Sequence, residues 1–220
     1  MRKNPLVIGE TYHIFTRSIA DFTVYNDNNE RQRMQQLIKY YQVNNEVKFS
    51  NFMELKIVRQ NGFNNTCDLL SKDKDNLVQI LAYCLMPTHL HLVLKQLTEK
   101  GISKFLKDIL DSYTRFFNNK HKRKGPLWES RFKSVLVETD EQLLHLTRYI
   151  HLNPVTAKLI DRPEDWFFSS YKEYLSQNNT VRICQFDDVL EIDPYYYRKF
   201  CNERISYQRE LAKIKNLMMD

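Results

Sequence analysis

The stretch 77–95 limits the possible folds more than any other part of the chain. Two apolar runs, 77–86 and 89–95, are separated only by Pro87-Thr88. The first reads as a strand and the second alternates, so the pair reads as two strands meeting at a tight break. A strand sends successive side chains to opposite faces. His89, His91 and Val93 therefore share one face, and Leu90, Leu92 and Leu94 the other. The leucine face belongs against a core. The opposite face carries two imidazoles about 6.6–7 Å apart along the strand. Rings at that spacing can converge on one divalent ion, for which imidazole is a common ligand. A bare His-x-His is also what a half-exposed strand with two hydrogen-bonded histidines looks like. Two histidines do not complete a metal shell, so a third ligand has to come from elsewhere.

The surrounding elements give that strand pair a setting. Tyr12 to Arg17 is a β-branched and aromatic run after Gly9, a first strand. Asp27 to Asn29 can cap a helix over 29–42, where Met34, Leu37, Ile38 and Tyr41 recur at helical spacing. Residues 43–76 hold turn signals at Asn61-Gly62 and Asn64-Asn65 and a charged stretch from Ser71, and read as an insertion or extended connection with one short helix. After the strand pair, 102–118 carries a broad apolar face of Ile102, Phe105, Leu106, Ile109, Leu110, Tyr113 and Phe117. A strand over 132–138 follows. The order β, α, β, β, α, β is that of the split-βαβ, ferredoxin-like fold: an α+β chain with a four-stranded antiparallel sheet and helices on one face.

At 220 residues and 42% hydrophobic content, one domain with a sizeable core is expected, at 1–175, with a helical C-terminal extension at 176–220. The net charge is +6, which points to a polyanionic partner, nucleic acid first. Cys67, Cys84, Cys184 and Cys201 are scattered, neither a zinc ribbon nor a disulfide framework, and suit a reducing compartment. The N-terminus has no apolar signal core, and no apolar run approaches about 18 residues. The expectation is a soluble cytoplasmic protein without a membrane partner.

A second cluster of chemistry lies on the next predicted helix. Thr139 and Gln142 fit a capping box, opening a helix from Asp140 to about Leu152. Leu143, Leu146, Thr147 and Ile150 form its buried stripe. Beside that stripe His145, Tyr149 and Asn153 recur every four residues on one face. Pro154 should stop or restart the helix, with Asn153 as an ordinary N-cap of a further short helix from Pro154 to Leu159. The loop Asn118-Asn119-Lys120-His121-Lys122-Arg123-Lys124 is strongly basic: a solvated turn, or a set of phosphate contacts.

Four motifs then occur in one order: Met86-Pro87-Thr88-His89-Leu90-His91, Leu127-Trp128-Glu129-Ser130-Arg131-Phe132-Lys133-Ser134, Arg148-Tyr149-Ile150-His151-Leu152-Asn153-Pro154-Val155, and Trp166-Phe167-Phe168-Ser169-Ser170-Tyr171. Together they resemble the REP-associated tyrosine transposases, a group of single-tyrosine HUH transposases related to insertion-sequence-200 elements. The resemblance covers about residues 9–175. It implies His89 and His91 as metal ligands, Asn153 as the third ligand, and Tyr149 as nucleophile. It implies a divalent cation, Mg²⁺ or Mn²⁺, and single-stranded or hairpin DNA as substrate. The implied reaction is cleavage of single-stranded DNA through a 5′-phosphotyrosine link, followed by rejoining.

Lys120, Lys122, Arg123, Lys124, Arg131 and Lys133 are candidate phosphate contacts. His145, one turn before Tyr149, is an auxiliary candidate, as is Trp128, which can stack on a base or belong to the core. His13 and His121 rank below these. Trp166, Phe167 and Phe168 read as core. The tyrosine triplet 195–197 reads as helical packing, within a basic helix reaching Lys215. A monomer acting in cis is expected, with a dimer as the alternative. Two other function classes stay open: a domesticated copy that binds a DNA hairpin without cutting it, and an RNA-binding ferredoxin-like domain with a structural histidine pair.

Overall fold

The computed structural model describes residues 5–129, 132–176 and 182–207. Four strands form one sheet: β1 (Thr11–Arg17), β2 (Val78–Met86), β3 (His89–Gln96) and β4 (Lys133–Val137). Their spatial order is β2-β3-β1-β4, with every pairing antiparallel. This is the ferredoxin-like order expected from the sequence. Tyr12, Ile14 and Thr16 lie opposite Leu94, Leu92 and Leu90 on one face. The two long crossover helices, α1 (Asn28–Tyr41) and α5 (Gly101–Lys120), cover that face and pack on each other. Asp27 caps α1 by accepting from the Glu30 N–H at 2.9 Å. α5 starts so close to the sheet that a Cβ on Gly101 would meet the Leu77 carbonyl oxygen at 2.2 Å. Only glycine fits there.

The connection 43–76 folds into three short helices, α2 (Phe49–Glu54), α3 (Lys56–Asn61) and α4 (Phe63–Ser71), where the sequence suggested one. They are pinned by the aromatic group Tyr40, Phe49, Phe52 and Phe63. The aromatic side chains give the segment a small core of its own, continuous with the main one.

The other face of the sheet is divided. Helix α6 (Asp140–Thr156) crosses it on the β2 side. Its start is as expected: Thr139 Oγ1 accepts from the Gln142 N–H, and the Gln142 side-chain oxygen accepts from the Glu138 N–H. Its end is not. The helix runs through Pro154 to Thr156, and the Ala157 N–H donates to Asn153 O, so Asn153 is interior to the helix rather than a cap. Proline here forfeits one backbone bond close to the end of the helix, where the cost is smallest.

Beyond α6 the chain returns to guard the free edge of β2. The Leu85 N–H donates to Phe168 O and the Ser170 N–H to Tyr83 O. Trp166 and Phe168 are half-buried, but Phe167, expected in the core, is 66% exposed, with the Lys172 ammonium 3.6 Å from its ring centre. Helix α7 (Tyr171–Tyr174) and helix α8 (Pro194–Asn202) then brace α6. Fully buried His151 hydrogen-bonds Tyr197 OH at 2.7 Å and Ser170 Oγ at 2.8 Å, and Tyr197 OH donates to Thr147 Oγ1 at 3.0 Å. Within the triplet only Tyr197 is buried; Tyr195 and Tyr196 face solvent. The stretch from 208 to Lys215 lies outside the described residues. Among the described residues no helix is long and apolar enough to cross a membrane. All four cysteines are buried free thiols.

Candidate active site

Strand register builds the site. On the face away from α1 and α5, Phe15 lies opposite both His91 and Lys133, Arg17 opposite His89, and His13 opposite Val93 and Val135. Cys84 flanks His91 on β2. Because α6 covers the β2 half of this face, the remainder is left as a cavity of about 260 Å³ lined by His13, Phe15, Thr16, Arg17, His89, His91, Glu129, Lys133 and Tyr149.

The two strand histidines stand at right angles, ring centres 5.0 Å apart. Each has one nitrogen engaged. Thr88 Oγ1 is 3.1 Å from His89 Nδ1, and His13 Nε2 is 3.1 Å from His91 Nδ1. Burial lowers the pKa of His89 to about 4, helped by the nearby Arg17 charge. Burial lowers His91 to about 3, with His89, His13 and Arg17 adding to the effect, and burial takes His13 to about 4. All three rings are neutral near neutral pH and hold lone pairs.

Tyr149 reaches over this group from α6. Its ring is edge-on to His91 at 6.0 Å and to His13 at 6.4 Å, and the residue is 41% exposed. Burial of the phenol raises its pKa, while the Asn153 amide one turn on pulls it back. The Asn153 Nδ2 atom is buried and meets no acceptor in bonding geometry. Two neutral imidazoles are ligands that a divalent cation takes, and so is an amide oxygen; Asn153, one turn beyond Tyr149 on α6, is not among the residues that line the cavity, and its unpartnered Nδ2 is a donor rather than a ligand. Among the described residues no three His, Cys, Asp or Glu side chains group to hold a metal.

The basic candidates separate. Lys133 lines the cavity, its ammonium 5.6 Å from the Phe15 ring centre. Lys122 and Lys124 are exposed in the loop after α5. Lys120 is turned inward onto Asp27 and Glu30, at 2.6 and 2.8 Å, and His121 onto Glu30 at 2.5 Å. Arg123 bonds Asn118 Oδ1 and Pro126 O, holding the loop together. Arg131 lies outside the described residues. Trp128 is 7% exposed and packs against Tyr25 and Tyr113, which leaves no ring face for a base. His145 is exposed and accepts from Arg148, whose guanidinium covers Phe200; it does not line the cavity. The order of the two histidines is thus reversed: His13 is in the site and His145 outside it. Phe15, Arg17 and Glu129 are further lining residues that sequence reasoning passed over. The period-2 spacing of His13, Phe15 and Arg17 was the available signal.

Residues 63–153 match the family described as transposase, IS200-like. Over that stretch the chain is similar to the IS200-like transposases. The matched stretch takes in β2, β3, α5, β4 and α6 as far as Asn153, and with them His89, His91 and Tyr149. A curated Haemophilus influenzae protein, assigned as a REP-associated tyrosine transposase, is 28% identical over 104 residues, 42% of this chain and 58% of that protein. The chain thus spans a little over half of that relative's length. A solved structure of a REP-associated tyrosine transposase bound to a REP hairpin shares the fold, with a TM-score of 0.51 at 16% identity over 88% of this chain and 95% of that one. The first two motifs and the third as far as Asn153 fall within the matched stretch, and the fold is shared.

Proposed function

We propose that the protein is a transposase of the REP-associated tyrosine type that cleaves and rejoins single-stranded DNA at hairpin-forming repeats. The observation that carries this reading is Tyr149, held on one helix with its ring edge-on to neutral His91 and His13, in a cavity that His89, Arg17 and Lys133 also line. In the reaction the phenol oxygen attacks a backbone phosphorus. The 3′ oxygen leaves with the bonding pair and takes up a proton, giving a 5′-phosphotyrosine and a free 3′-OH. Attack by a 3′-OH on the same phosphorus reverses the step and conserves the bond energy.

His89, His91 and the Asn153 amide would hold a divalent cation, Mg²⁺ or Mn²⁺. When bound, such an ion offsets the charge that grows on the phosphate during attack. The chain's own groups account for the rest. The sheet and α6 hold histidines and phenol in fixed relation. Lys133 and Arg17 flank the cavity and suit the phosphates on either side of the scissile one. The REP-associated relative was solved with a REP hairpin, which makes hairpin DNA the natural substrate to try. The protein is expected to act in the cytoplasm, as a monomer with Tyr149 serving its own site.

The test is a denaturing gel of protein with end-labelled hairpin DNA and Mn²⁺ or Mg²⁺. A covalent adduct that disappears in Tyr149→Phe and on chelation supports the reading. No adduct, with a band shift that persists without metal, would favour a hairpin-binding protein that does not cut. An adduct surviving Tyr149→Phe would mean another tyrosine is the nucleophile.

A further inference from the structure

We propose that His13 is a positioning residue that fixes His91 as its Nδ1–H tautomer, so that Nε2 of His91 is the lone pair offered to the cation. The inference rests on the proposed function, in which His89 and His91 hold that ion.

The contact between His13 Nε2 and His91 Nδ1 is 3.1 Å, and the two rings lie nearly parallel, at 19°, with centres 5.3 Å apart. Between two neutral imidazoles one N–H has to be donated and one lone pair has to accept. There are two ways to arrange this. If His13 donates, its proton points at His91 Nδ1, and His91 carries its own proton on Nε2, with no lone pair left for a metal. If His91 donates from Nδ1, its Nε2 lone pair stays free on a ring that lines the cavity. Only the second arrangement is competent to bind. His13 then has to carry its own proton on Nδ1.

His89 is also held at Nδ1, by a different group. Its Nδ1 meets Thr88 Oγ1 at 3.1 Å, which leaves Nε2 outside that bond on a ring that lines the cavity. Both rings are therefore held at Nδ1, one by a hydroxyl from the turn, which can donate or accept, and one by a histidine from the neighbouring strand. Outer partners of this kind are what usually fix the tautomer and angle of a metal-bound imidazole.

His13 is not itself a third ligand in this arrangement. Its Nε2 is committed to His91, and no three-member His, Cys, Asp or Glu group suits a metal among the described residues. The stretch that matches the IS200-like family begins at residue 63, after β1, so His13 lies outside it.

Two measurements on the full-length protein test this. In the metal-free protein, long-range ¹H–¹⁵N correlation reads the tautomer of His91 directly. The wild type should show the proton on Nδ1, and His13→Phe should move it to Nε2. Calorimetric titration with Mn²⁺ should then show an affinity about 10–100-fold weaker in His13→Phe. His13→Gln, whose side-chain oxygen can reach the place of Nε2 as an acceptor, should recover most of the loss. Circular dichroism on both variants separates misfolding from a ligand effect, since the tautomer is read only on folded protein. Wild-type affinity in His13→Phe, or an Nε2–H tautomer in the wild type, would overturn the proposal while leaving the metal reading standing. A wild type that binds no Mn²⁺ would overturn both.

Discussion

Tyr149 of α6 and His91 of β3 meet edge to face, ring centres 6.0 Å apart and planes at 83°. The sheet supplies one partner and the helix laid across it the other. The contact depends on α6 being held at a fixed height above the sheet, and therefore on everything that braces α6. Under the proposed function it would also divide the work, with His91 a ligand of the ion and Tyr149 the attacking group.

That division gives a separable outcome. His91→Ala should lose the covalent DNA adduct and Mn²⁺ binding together, yet keep hairpin affinity within about threefold, because phosphate contacts dominate such affinity. Chelation of the wild type should give the same pattern. The check is a pair of gels on the same samples, one denaturing and one native. Loss of hairpin affinity in His91→Ala would mean that the histidine touches DNA directly.

The basic residues should divide in the same manner. Lys133→Ala and Arg17→Ala each remove a charge from the cavity rim, and each should lower the slope of log affinity against log salt by about one. Lys120→Ala should leave that slope unchanged. It removes the partner of buried Glu30 instead and should cost about 1–2 kcal/mol of stability, a modest figure because the lysine is about a third exposed. Hairpin binding measured across a salt series, with thermal melts alongside, distinguishes the two behaviours.

Lys120 and its neighbours also mark where reading the sequence stops. The period-2 alternation of 89–95 and the four-residue spacing of Tyr149 and Asn153 are local, and both were legible. The order β, α, β, β, α, β was enough for the sheet. What could not be read was cross-strand register. His13, Phe15 and Arg17 become site residues only because β1 lies against β3 with Phe15 opposite His91. Lys120 looked like its neighbours in the basic loop until α1 brought Asp27 and Glu30 against it. Pro154 looked like a helix stop, but buried packing around Ile150, Leu152 and Val155 carries the helix past it. In each case a long-range contact overrode a local signal.

The brace under α6 can be loosened without touching the site. Tyr197 OH sits between His151 Nδ1 and Thr147 Oγ1, fully inside the protein. Tyr197→Phe keeps the ring and removes both bonds, leaving buried His151 Nδ1 without a partner, while Thr147 Oγ1 keeps its bond to the Leu144 carbonyl. It should destabilise the fold by about 1–3 kcal/mol. The melting temperature should fall, with hairpin affinity below that temperature unchanged. An unchanged melting temperature would mean that the packing of α8 alone, without the hydrogen bonds, holds α6.

Glu30 sets the behaviour in acid. Burial alone would raise its pKa, but Lys120, His121 and the Asn26 backbone N–H, at 2.6 Å, together hold it below the ordinary carboxylate range. A carboxyl with a depressed folded-state pKa binds its proton less readily folded than unfolded, so it contributes stability at neutral pH. That contribution disappears as pH falls through the ordinary carboxylate range and below. Glu30→Gln lacks the charge at every pH. It should be less stable than wild type near pH 7 by about 1–3 kcal/mol, and the gap should close by about pH 3. Thermal melts of both proteins over that range give the comparison, and a gap that stays constant would show that the carboxylate charge at this helix junction contributes nothing beyond the hydrogen bonds the amide retains.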